Sequence, residues 1–118
     1  MQNMVFILNE APYGSEKCFN ALRLALNLKK KYGDDVYIKF FLMSDAVFAG
    51  LSNQRPAEGY NIQRLFTLLL EQGAEIKLCT TCIADRGIDP SRMIEGLEAG
   101  SMINLASWSM EADKVFTF

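Results

Sequence analysis

Apolar positions along this chain form short unbroken runs, separated by longer stretches in which they recur at helical spacing. Met4-Val5-Phe6-Ile7-Leu8 is a continuous apolar run. It reads as a strand covered on both faces, as in a parallel sheet. Pro12 and Gly14 mark a loop over 9–14, and a helix follows over 15–32. Its polar residues Glu16, Asn20, Arg23, Asn27 and Lys30 trace one narrow stripe, so most of its circumference is apolar and needs cover on more than one side. Gly33 supplies the stop and Asp34-Asp35 the turn. The second strand spans 36–43. Ser44 is placed to cap a short helix over 45–50, and a polar loop holding Pro56 covers 51–59.

The alternation continues to the C-terminus. A helix over 60–72 presents Ile62, Leu65, Phe66 and Leu69 to the core and ends at Gly73. A third strand occupies 75–79, and 80–87 opens as a turn or short helix. Asp89-Pro90 starts another helical turn with Pro90 at its first position. A short strand over 97–99, a helix over 101–111 and a last strand over 114–118 complete the pattern. Strands alternating with helices predict an α/β fold, with three layers (α/β/α) around a mostly parallel sheet of about five strands. No linker, repeat or low-complexity segment divides residues 1–118, so a single domain is expected. In such folds reactive groups collect beyond the carboxyl ends of the strands. Here those loops are 9–14, 43–45 and 79–87.

Composition narrows the chemistry. Of 118 residues half are hydrophobic and 22% charged, which suits one domain with one core. The formal net charge of −2 gives no electrostatic case for nucleic acid or an anionic membrane surface. The longest apolar runs are strand-sized, and the N-terminus has neither the basic region nor the cleavage site of a signal peptide. The cytoplasm is the expected compartment, and the three cysteines are expected to be thiols. There is no histidine, which removes the commonest general base and the commonest metal ligand. With one Cys-x-x-Cys pair and a distant Cys18, the ligand set for structural zinc falls short.

What remains is the Cys79-Thr80-Thr81-Cys82 turn. Cys79 ends a strand, so its side chain is expected to reach solvent. Backbone N–H groups of the following turn favour its thiolate, and Arg86 adds positive charge while Asp85 opposes it. If 82–86 is helical, Cys82 and Arg86 share a face. The pair suits dithiol–disulfide exchange or persulfide transfer, and burial as two small hydrophobes is the bland alternative. Cys18, among Phe19, Leu22 and Ala25, reads as core. The candidate reacting set is Cys79, Cys82 and Arg86, with Tyr13, Gly14, Ser44, Tyr60 and Gly87 as surrounding substrate contacts. For Pro12-Tyr13-Gly14 a turn that caps the following helix is preferred to an anion site, and Tyr13 and Tyr60 either line the site or pack at a subunit boundary.

Several segments, in order, resemble the DsrE/DsrF family, in its YchN branch. They are Asn9-Glu-Ala-Pro-Tyr-Gly-Ser15, Phe41-Leu-Met-Ser-Asp-Ala-Val47, Glu58-Gly-Tyr-Asn-Ile-Gln63, Lys77-Leu-Cys-Thr-Thr-Cys82, Arg86-Gly-Ile88 and Asp113-Lys-Val-Phe-Thr-Phe118. The resemblance spans essentially the whole chain. It implies the same three-layer domain and a homo-oligomer, a trimer or a hexamer built from trimers. Sulfur-relay members carry a persulfide on one cysteine eight positions before a glycine preceded by arginine, the position of Cys79 before Arg86-Gly87. The second thiol, Cys82, belongs to the YchN branch. It can be a passive neighbour, or it can resolve a Cys79 persulfide. The function so implied is a sulfur carrier or sulfurtransferase, needing no cofactor, that exchanges sulfur with donor and acceptor proteins or small thiols. Dithiol oxidoreductase and non-catalytic assembly protein are the alternatives.

Overall fold

A computed structural model describes residues 1–118. The chain runs β1 (Gln2–Leu8), α1 (Lys17–Tyr32), a 3-10 turn, β2 (Val36–Leu42), a 3-10 helix over Ser44–Gly50, α2 (Ile62–Glu71), β3 (Glu75–Cys79), α3 (Thr80–Asp85), a 3-10 turn over Pro90–Arg92, β4 (Glu98–Gly100), α4 (Met102–Glu111) and β5 (Lys114–Thr117). The five strands form one sheet in the order β4-β3-β2-β1-β5, and every pairing is parallel. The expected α/β class with helices on both sides of the sheet is what the chain adopts.

The order of strands decides the layers. Connections from β1 to β4 step one way across the sheet, and the last returns from β4 to the far edge beside β1. Parallel crossovers are right-handed, so a reversal of direction puts the returning helix on the opposite face. Side chains record the result. Phe40 meets Phe66 of α2 edge-on at 5.7 Å, while its neighbour Phe41 meets Trp108 of α4 edge-on at 6.2 Å. Alternate residues of β2 therefore serve the two faces, which is why its end, Phe40-Phe41-Leu42, reads as a continuous apolar run. Phe6 of β1 stacks on Phe40 at 4.7 Å and packs against Phe116 of β5 at 4.9 Å, fixing the registers Phe6↔Phe40 and Phe6↔Phe116. Phe6, Phe40, Phe41 and Phe66 are fully buried. Each contributes roughly 1.5–3 kcal/mol of transfer free energy.

Element boundaries show where local chemistry decided. Asn61 caps α2 through Arg64 N–H, so that helix begins at Ile62 rather than at residue 60. Ser101 and Asn104 form a reciprocal cap at the start of α4. Asp89 accepts from Ser91 N–H, and Pro90 takes the first position of its turn as expected. Two expectations are corrected. Ser44 is not a cap: the short helix is 3-10, its N-cap is Met43 with no side-chain bond, and Ser44 is its first residue at φ +53°. The 12–14 turn does not cap α1 either, since the N-cap is Glu16 without a side-chain bond and Ser15 Oγ only reaches Lys17 N–H at 3.4 Å.

Candidate functional site

Register carries the thiols to the end of the sheet where the loops gather. Cys79 is the last residue of β3, paired with Gly100 of β4, and the next residue begins α3. Cys79 is also the N-cap of α3: its Sγ accepts from Cys82 N–H at 3.4 Å. Thr81 Oγ1 lies 3.2 Å from the same sulfur. Cys82 stands three residues on, at the same end of the strand. The loop after β2 closes the arrangement, with Ser44 N–H donating to Cys82 Sγ at 3.2 Å.

Electrostatics separates the two sulfurs. Burial works to raise the Cys79 pKa. Hydrogen bonds from the Cys82 thiol, the Thr81 hydroxyl and the backbone N–H groups of Cys82 and Thr81 outweigh it, so this thiol ionises below its ordinary 9.0. Cys82 goes the other way. Burial raises its pKa, and so does the bond in which its proton faces Cys79. The Ser44 amide and the charge of Arg86 recover only part of this. In the resting dithiol, then, Cys79 is the sulfur that gives up its proton first and Cys82 the donor beside it.

Around these thiols the structure differs from the sequence reading in three respects. Cys79 does not stand open to solvent: it retains 8% exposure, because α3 folds over the strand end, and Cys82 is the more open thiol. Arg86 does not act on Cys79. Its Nε bonds Asp45 Oδ1 at 3.0 Å and its Nη1 donates to the Cys82 carbonyl at 3.1 Å, so its positive charge favours the Cys82 thiolate. The carboxylate that Arg86 meets is Asp45 rather than Asp85. The face shared by Cys82 and Arg86 is present as this side-chain-to-carbonyl bond. Thr81 and the Ser44 amide were missed as sulfur partners. A hydroxyl two residues after a thiol was a readable signal, but a backbone donor 38 residues away was not.

The remaining candidates fall into a second cluster. Tyr13 OH donates to Gln54 Oε1 at 2.7 Å and accepts from Ile62 N–H at 3.2 Å. The ring of Tyr60 stacks on Phe19 at 3.8 Å and lies against Tyr13 at 6.1 Å. These tyrosines pin the 51–61 loop to the start of α1, and no hydrogen bond joins them to either sulfur. Gly14 sits at φ +100°, a turn conformation open to solvent. Gly87, at φ +67°, ends α3, its N–H bonding the Ala84 carbonyl while Ile88 N–H bonds that of Ile83. Cys18 is wholly buried with its thiol on the Glu10 carbonyl, and burial, with the Glu10 charge second, pushes its pKa up to about 12. Three cavities open on the surface, and neither Cys79 nor Cys82 lines any of them.

An all-parallel α/β domain carrying an asymmetric pair of thiols at the carboxyl end of its third strand defines the class, and comparison with known sequences gives the family. The profile of the DsrE/DsrF-like family matches residues 2–118, and the chain belongs to that family. Among its relatives is Protein YchN of Escherichia coli K12, 49% identical over 118 residues that cover all of both chains. An uncharacterized protein of Methanopyrus kandleri is 41% identical over 112 residues, covering 95% of this chain and 90% of the other. The crystal structure of E. coli YchN superposes with a TM-score of 0.94 over the whole of both chains at the same 49% identity. A protein of unknown function from Methanobacterium thermoautotrophicum superposes with a TM-score of 0.76 over the whole of both chains at 18% identity, which shows a shared fold. No helix of this chain is long and apolar enough to cross a membrane.

Proposed function

We propose that this protein accepts sulfane sulfur on Cys79 as a persulfide and passes it to a partner thiol. The observation that carries the reading is the Cys79 sulfur itself, surrounded by hydrogen-bond donors and ionising below the ordinary thiol range. The thiolate attacks the outer sulfur of a donor persulfide, forming the Cys79 S–S bond and releasing the donor as its thiolate. An acceptor thiolate then attacks the outer sulfur on Cys79 and leaves Cys79 as a thiolate again. Each step exchanges one S–S bond for another and consumes no oxidant. Membership of the DsrE/DsrF-like family supports the reading. The setting is a reducing compartment such as the cytoplasm, which keeps three unpaired thiols reduced.

The test is persulfide loading under anaerobic conditions followed by intact mass. Wild type gains the mass of one sulfur atom and Cys79→Ser gains none. Equal loading of Cys79→Ser overturns the assignment. The Cys82 N–H on Cys79 Sγ, which sets the two residues side by side, favours a second reading, a dithiol oxidoreductase cycling a Cys79–Cys82 disulfide. It is distinguished by activity that needs both thiols and no sulfane sulfur. The functional form is proposed to be a homo-oligomer, trimeric or hexameric, with sulfur donors and acceptors docking on its surface.

A further inference from the structure

We propose that Cys82 is a resolving thiol: its sulfur attacks the inner sulfur of a persulfide held on Cys79, expels hydrosulfide and leaves a Cys79–Cys82 disulfide. This rests on the carrier reading above and adds a second fate for the carried sulfur. The reaction balances as Cys79–S–S⁻ plus HS–Cys82 giving Cys79–S–S–Cys82 plus HS⁻. The bond formed joins the two Sγ atoms, and the bond broken is that between Cys79 Sγ and the outer sulfur. The proton of Cys82 leaves on the departing atom. The sulfane sulfur is reduced to sulfide and the thiol pair is oxidised to a disulfide, so a return to the resting state requires two electrons and two protons from an external dithiol reductant.

Three observations carry this. The first is contact. Cys82 N–H already donates to Cys79 Sγ at 3.4 Å, and the pair is spaced i, i+3 across the start of α3, a separation that a disulfide can close.

The second is access. Cys79 retains 8% exposure, so its opening to solvent is narrow; once it is loaded the outer sulfur fills that opening, and Cys82 approaches the inner one from within the chain. An external acceptor reaches the outer sulfur and effects transfer. Cys82 reaches the inner one and effects release. The two fates are separated by which sulfur each nucleophile can touch.

The third is the support given to Cys82. Ser44, a residue that is not glycine, holds φ +53° and directs its N–H at Cys82 Sγ at 3.2 Å. Such a conformation is strained for a residue with a side chain and persists where the surroundings impose it. Arg86, bonded to the Cys82 carbonyl and to Asp45, places its positive charge where it favours the Cys82 anion. A carrier using Cys79 alone has no use for either device. Both become useful when Cys79 is persulfidated and Cys82 must act as the nucleophile.

The experiment loads wild type, Cys79→Ser, Cys82→Ser and Cys82→Ala with an inorganic polysulfide, removes excess reagent anaerobically, and follows intact mass and released sulfide without reductant. Wild type first gains one sulfur, then loses it as about one equivalent of sulfide per loaded chain and ends two hydrogens lighter than the reduced protein. A second wait after adding a dithiol reductant restores the original mass. Both Cys82 variants load and hold their sulfur at least ~tenfold longer, because the intramolecular attack is gone. If wild type loads on Cys79 and holds its sulfur as long as the Cys82 variants do, the resolving role is overturned and the carrier reading stands. Sulfide release at the wild-type rate from both Cys82 variants overturns it equally. If Cys79→Ser loads as well as wild type, or wild type does not load, the carrier reading falls and this inference falls with it.

Discussion

Three thiols in one small chain occupy three different electrostatic settings, and the differences come from single contacts. Cys79 gathers donors, Cys82 lends its own proton, and Cys18 is shut in the core under α1 with only the Glu10 carbonyl to face. Cys18 also makes stability depend on pH in alkaline solution. Its pKa is raised from 9.0 to about 12 in the folded chain. Between those values the unfolded chain loses the proton while the folded chain keeps it, so unfolding releases a proton and stability falls as pH rises. The contribution is fully present below pH 9. Its loss approaches about 1.4 kcal/mol per pH unit inside the window, the full value of one proton. Urea midpoints of wild type and Cys18→Ala measured from pH 8 to pH 11 should converge, because only wild type carries this slope. Parallel midpoint curves for the two proteins would show that the buried thiol titrates freely.

At the level of elements, the site is a junction between α3 and the loop after β2, tied by the Asp45–Arg86 ion pair and by the Ser44 amide. The ion pair is partly exposed and its stabilisation is correspondingly small, under about 1 kcal/mol. Its expected importance is electrostatic and directed at one sulfur. Arg86→Met should leave the thermal midpoint nearly unchanged, raise the pH at which Cys82 is alkylated and leave that of Cys79 in place. Peptide mapping after a pH series of iodoacetamide pulses reads both cysteines at once, and an equal displacement of Cys79 would contradict the assignment of the charge. This junction also marks where the sequence stops being informative. Unbroken apolar runs, such as 4–8 and 40–43, declare both covered faces, and Gly33 and Gly73 declare helix ends. The cap at Asn61 was legible in type but not in position, because Tyr60, Asn61 and Ile62 are all compatible with a helix start until the aromatic stack draws Tyr60 outward. The Cys79-x-x-Cys82 pair and its place at a strand end follow from pattern alone. The partners around them do not, since Ser44 reaches Cys82, and Asp45 reaches Arg86, from the loop after the neighbouring strand.

The whole molecule leaves apolar surface that this chain alone does not cover. α4 turns Leu105 and Trp108 inward, yet Ile103 and Met110, one heptad apart on its other side, are 78% and 88% exposed. Two apolar stripes on one helix fit a helix packed between two bodies, the sheet beneath it and something above. The widely apolar α1 repeats the pattern, with Leu24 and Tyr32 open to solvent beside the cavity of about 430 Å³ that Leu28 and Phe116 help to line. A second copy of the chain is the proposed cover, in keeping with the oligomer argued above. Sedimentation velocity on the native protein should give a mass of three or six chains. The double variant Ile103→Lys, Met110→Lys should shift the distribution toward smaller species while circular dichroism stays unchanged, because both side chains are remote from the core that holds the fold. A wild-type monomer would remove this argument. An undiminished assembly of the double variant would move the contact from α4 to the α1 face, where Leu24→Lys is the corresponding probe. Sulfur loading of the dissociated variant then connects the scales. Thr81, the Cys82 N–H and the Ser44 N–H that surround the thiols belong to the same chain as the thiols, so a chain separated from its neighbours should still gain one sulfur on Cys79.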